Sequence, residues 1–141
     1  MSYGEAPYDI HLEARYIGED ILAAVTGGTR SHIGAVALAE PAGALHPVTG
    51  ETIRPSDSAS AAEEPADCDD RPRVSVMDSA GHKDAVLAEM FASSLCALYE
   101  VNVCVAAGVH VDDAGKDEIA LMLENAKALL DEVQARSSTD N

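Results

Sequence analysis

The chain has 141 residues, 25 of them acidic and nine basic, for a net charge of −16. That length suits one domain, 1–141, with a real core, while a field of this sign with no basic stripe excludes nucleic acid and anionic membrane surfaces as partners. No run approaches the roughly 20 apolar residues of a membrane span, and Met1-Ser2-Tyr3-Gly4-Glu5 lacks the basic and apolar parts of a signal peptide, so a cytoplasmic protein is expected.

After a short polar start, Ile10, Leu12 and Ala14 alternate with Asp9, His11, Glu13 and Arg15, which predicts a strand over 8–16 with one wet face. Gly18-Glu19-Asp20 turns the chain, and residues 21–25 form the second arm of a hairpin. A glycine-rich turn over 26–31 precedes a third strand at 32–39, whose small residues Gly34, Ala35 and Ala37 allow a neighbour or a ligand to come close. Periodicity is then lost. Residues 41–73 carry Pro41, Pro47, Pro55, Pro65 and Pro72 and read as a long loop, disordered around 59–70, with a small hairpin around Val48 and Ile53.

Order returns with a strand at 74–77. Leu87, Met90, Phe91, Leu95 and Leu98 then predict a helix over 83–99. Residues 101–109 are apolar with little alternation, the pattern of a strand covered on both faces. Ile119, Met122, Leu123, Ala126, Leu129, Leu130 and Val133 share one face of a last helix over 116–135, and 137–141 reads as a flexible tail. Gly115 and Glu118 make a weak capping arrangement at its start. The expected class is α/β (α+β): a mixed sheet of about five strands with an antiparallel N-terminal part, followed by a strand-helix-strand-helix unit. Strand-helix-strand implies a right-handed crossover between parallel strands.

The parallel pair puts the turns at His82 and His110 on one edge of the sheet, where ligands bind in open α/β sheets. A third strand antiparallel to both brings His32 to that edge, with Gly27, Gly28, Thr29 and Arg30. Gly81-His82-Lys83-Asp84 opens the first helix, and backbone N–H groups at a glycine-bearing helix start make an anion site. Three readings stay open for the histidines. His32, His82 and His110 with a carboxylate could bind a divalent metal, although no pair has helical i, i+4 spacing. They could act as acids or bases near neutral pH, or simply hydrogen-bond at strand ends, the reading given to His11 and His46. Cys68, Cys96 and Cys104 show no Cys-x-x-Cys spacing, and no Gly-x-Ser-x-Gly elbow or phosphate-binding glycine loop occurs.

Three blocks carry a resemblance. His32-Ile33-Gly34-Ala35-Val36-Ala37, Gly81-His82-Lys83-Asp84 and Ala107-Gly108-Val109-His110-Val111-Asp112 resemble, in order, the signature blocks of the LpdD-like prenylated-flavin chaperones, which include the small D subunit of gallate decarboxylase. The resemblance covers about 8–40 and 73–135. It departs at Gly115, where the family tends to have a hydroxyl-bearing helix cap, and it leaves 40–73 uncovered. It implies a chaperone or maturation factor that holds prenylated FMN (or FMN) and supports activation of UbiD-type decarboxylases, the cofactor coming from a UbiX-type prenyltransferase. Such a protein assists oxidative maturation at most and is not itself a decarboxylase. The residues expected to touch the cofactor are Thr29, Arg30, His32, Gly34, Gly81, His82, Lys83, His110 and Asp112, in a possible homo-oligomer. The alternatives are a small metal- or histidine-dependent enzyme using the same edge, or a purely structural decarboxylase subunit.

Overall fold

Alternating apolar residues over 10–28 build the expected hairpin, which in the computed structural model is β2 (Ile10–Ile17) and β3 (Asp20–Gly28). The structure describes residues 1–43, 70–79 and 84–139. The small hairpin expected around Val48 and Ile53, the disorder expected around 59–70, and Cys68 lie outside the described residues. The remaining elements are β1 (Ser2–Tyr3), β4 (Ala35–Glu40), β5 (Arg73–Asp78), α1 (Asp84–Tyr99), β6 (Val103–His110) and α2 (Lys116–Thr139).

Among the described residues the sheet is mixed, in the order β1-β2-β3-β6-β4-β5, and only β3 and β6 pair in parallel. This is the expected class, with six strands rather than about five. The extra strand is the two-residue β1, which pairs Ser2 with His11 and Tyr3 with Ile10; two residues are too few to show a period. The strands flanking α1 run in the same direction, but β4 lies between them, antiparallel to both.

Both helices cover one face. On the strands that face is Ile10, Leu12, Ile21, Ala23, Val25, Ala35, Ala37, Ala39, Val103, Val105 and Ala107, all buried. The small residues of β4 serve α1: Ala35, Ala37 and Ala39 let Ala88, Phe91 and Ala92 pack closely, and each of these is at most 2% exposed. On α2, Met122, Ala126, Leu129, Leu130 and Val133 are buried, on the apolar face read from the sequence. α2 runs to Thr139, so the predicted tail is helical up to that residue, with Ser138 and Thr139 hydroxyls bonding back to Gln134 and Ala135. At its start the Gly115 N–H donates to the Glu118 carboxylate, which is half of a capping box and needs no hydroxyl at position 115. The buried Asn125 donates to the Tyr8 carbonyl at 2.8 Å, and Tyr8 donates its hydroxyl to Glu118 at 3.1 Å. These bonds fasten α2 to the N-terminal segment.

Candidate functional site

The carboxyl ends of β3 and β6 meet at Gly28 and His110, which are register partners. Beyond them the ladder closes on one carbonyl: the His110 oxygen accepts from Thr29 N at 2.8 Å, Arg30 N at 3.3 Å and Thr29 Oγ1 at 3.2 Å. Gly28 makes this possible. Its φ is +77°, and a Cβ there would collide with the His110 carbonyl. Thr26, Gly27 and Gly28 are therefore the end of β3 rather than the turn predicted for them.

The chain then crosses the sheet edge through 29–34. His32 does not open the third strand, which starts at Ala35. It lies in this crossing, with its backbone carbonyl pressed on Gly108 where a Cβ would stand. The Gly34 N–H donates to the Ala107 carbonyl at 2.9 Å and leads the chain into β4. The space beside Gly34 is filled by the carboxylate of Asp84, so the missing side chain admits a protein group.

Asp84 is the residue that sequence reasoning quoted but assigned no role. It is the first residue of α1 and is 4% exposed. Its Oδ1 accepts from Val109 N at 3.0 Å, and its Oδ2 lies 3.1 Å from His32 Nε2. A carboxylate oxygen accepts, so His32 Nε2 is the donor of this contact. One side chain thus joins the first helical turn, the end of β6 and the crossing segment. The acid at a helix start was visible in sequence, but its burial was not. The positive end of α1 faces this carboxylate, so an added anion here depends on side-chain cations as well as on the helix dipole.

A second histidine-carboxylate pair stands beside the first. His110 Nε2 lies 2.9 Å from Asp112 Oδ1, which also accepts from Arg30 at 3.3 Å. The two imidazoles meet edge to face, with centroids 6.2 Å apart. The hydrogen bond from His110, reinforced by the charge of Arg30, holds the Asp112 carboxyl below the usual carboxylate range against the opposing effect of partial burial. Because the folded value is depressed, the stabilisation is full above the ordinary carboxylate pKa and lost as pH falls through the lower folded value. A carboxyl-carbon NMR titration is expected to give Asp112 a midpoint below the ordinary aspartate value. His110→Ala should return it toward the ordinary value.

Thr29, Arg30, His32, Gly34, His110 and Asp112 therefore share one edge, with Gly34 turned to Asp84. Gly81, His82 and Lys83 lie outside the described residues. Among the described residues, no three His, Cys, Asp or Glu side chains form a group that could hold a metal ion.

Beside this edge, between the start of α1, the end of β6 and the first turns of α2, opens a cleft of about 480 Å³. Val86, Leu87, Val109, Val111, Ile119 and Leu123 line it, with Asp84 and His110 as its polar members. Its size falls within the range of small-molecule sites, about 300–1,000 Å³. No helix among the described residues is long and apolar enough to cross a membrane.

A family model described as "Prenylated flavin chaperone LpdD-like domain" matches residues 4–56 and 57–138. The match runs through the proline-rich segment that the three signature blocks leave uncovered. No curated protein matches the chain.

Proposed function

This chain belongs to the LpdD-like family of prenylated flavin chaperones, and from that premise we propose that it binds prenylated FMN at the His32–His110 edge and supports activation of a UbiD-type decarboxylase. The observation that carries this reading is the apolar cleft opening directly beside His110 and Asp84. A flavin has a flat, largely apolar ring system with polar atoms along one side and an anionic tail. The cleft offers Val109, Val111, Ile119 and Leu123 to the first and His110 to the second, and Thr29 stands on the adjoining edge. Arg30, its side chain 70% exposed, is available to the tail, and Lys83, outside the described residues, is the second cation that this reading assigns to it. In a chain of net charge −16, these local cations have to offset a repulsive field.

In this reading the protein is a carrier. His32 and His110 orient the cargo, the cleft keeps water from its ring, and the cofactor passes from a UbiX-type prenyltransferase to the decarboxylase. The Asp84 carboxylate holds the His32 tautomer, leaving that ring a defined hydrogen-bonding partner rather than a rotating one.

The test is to mix the purified protein with reduced prenylated FMN and follow absorbance and retention on a desalting column, with decarboxylase activation as a second readout. Retention of the flavin and faster activation are expected. No retention and no effect on activation would overturn the proposal. His82→Ala with Lys83→Ala is expected to weaken binding by about 1.5–3 kcal/mol per lost charge-assisted contact, roughly 10- to 150-fold. An unchanged affinity removes Gly81-His82-Lys83 from the phosphate site.

A further inference from the structure

The sheet face turned away from α1 and α2 is apolar at its centre. Strand alternation and register place Leu22 and Ala24 of β3, Cys104 and Ala106 of β6, and Val36 and Leu38 of β4 on it side by side. Met77 of β5 stands next to Val36. Leu38 is 45% exposed and Met77 is 74% exposed. A face that merely met water would alternate to polar residues here.

Charge on this face differs from that of the chain. Its rim carries Glu13, Asp20 and Glu40 against Arg15 and Arg73, a net of −1, while the whole chain carries −16. Glu40 and Arg73 are paired with each other. A like-charged copy can approach such a nearly neutral surface with little repulsion.

Shape identifies the arrangement. Over Leu22, Ala24 and Ala106, between Glu13 and Arg15, lies a depression of about 330 Å³. The raised residues Leu38 and Met77 lie on the other side of β6, in the strand order β2-β3-β6-β4-β5. A two-fold axis running along β6 between stacked sheets lays β4 and β5 of one copy over β3 and β2 of the other. Leu38 and Met77 then meet the depression twice, once in each direction, as an isologous contact requires. At about 4.8 Å between strands and 3.3 Å per residue, six strands of about six residues present roughly 600 Å² before side-chain relief is added. That approaches the roughly 800 Å² per partner of a standard interface. We propose that this face is the contact between two copies of the chain, related by an axis along β6.

The arrangement puts Cys104, on the central strand, opposite its own copy, with backbones about 10 Å apart as in stacked sheets. Sedimentation of the full chain over a concentration series is expected to show a dimer that tightens as salt is raised, because screening removes the repulsion between two −16 chains. Leu38→Asp with Met77→Asp, both at exposed positions, is expected to weaken it by on the order of 100-fold, since charges would be buried without partners. In a Cys68→Ser background, a bifunctional thiol reagent with an arm of about 5 Å should give a covalent dimer, because thiols that point toward each other from backbones about 10 Å apart are separated by about half that distance. Cys96 is 1% exposed and is not expected to react. Cys104→Ser should abolish the product. A monomer at every concentration overturns the proposal, and so does a dimer that survives Leu38→Asp with Met77→Asp or yields no Cys104 product.

Discussion

Replacing Asp84 with alanine is expected to cost about 2–4 kcal/mol of stability and to abolish flavin retention, because the change removes a buried charged acceptor and leaves the half-buried Val109 N–H without its partner. Asp84 joins three separate segments, and nothing in an alanine side chain replaces either of its oxygens. The informative comparison is Asp84→Asn. Its amide oxygen can still accept from Val109, so most of the stability is expected to remain. Its NH2 would face His32 Nε2, which must then accept rather than donate, forcing the opposite tautomer. Urea unfolding should therefore separate the two variants, while flavin retention should be poor in both. Long-range nitrogen–proton NMR spectra can read the His32 tautomer directly. Normal retention by Asp84→Asn would show that the His32 tautomer has no part in binding.

Phe91→Ala is expected to lower stability by about 3–5 kcal/mol, a large share of the 5–15 kcal/mol that holds a domain together. Phe91 is fully buried and is the largest of the fully buried side chains. It stands on α1 between Leu87 and Leu95, over the alanines of β4, which cannot extend to fill the space it leaves. The melting temperature should fall by roughly 10–20 °C for a chain of this size. Phe91→Leu leaves a smaller void and should lose less. A small loss in Phe91→Ala would mean that α1 settles onto the sheet and closes the cavity.

These two predictions differ in how far the sequence announces them. Phe91 falls on the three-to-four pattern of an amphipathic helix, and its burial follows from that period. Asp84 follows no period. An acid at a helix start is common on surfaces, and what buries this one is the passage of residues 32–34 over it, with His32 lying 52 positions away in the chain. His32 shows the same limit from the other side. Placing it at the same sheet edge as His110 required only the direction of β4, which follows from β4 being antiparallel to β5 and β6. Placing it in a crossing segment before the strand required knowing that Gly108 leaves room for its carbonyl.

The sequence by itself determined the family blocks, the two helices with their apolar faces, the hairpin and the class of the sheet. Each of these rests on local periodicity, turn residues or short motifs, which neighbouring residues settle among themselves. Tertiary structure decided the insertion of β6 between β3 and β4, the edge shared by His32 and His110, the role of Asp84, the use of Gly34 as space for a carboxylate, and the near-neutral sheet face that neither helix covers. Those depend on which distant segments are pressed together. A carboxylate's burial or a glycine's missing side chain has a meaning only once the neighbour that needs it has arrived.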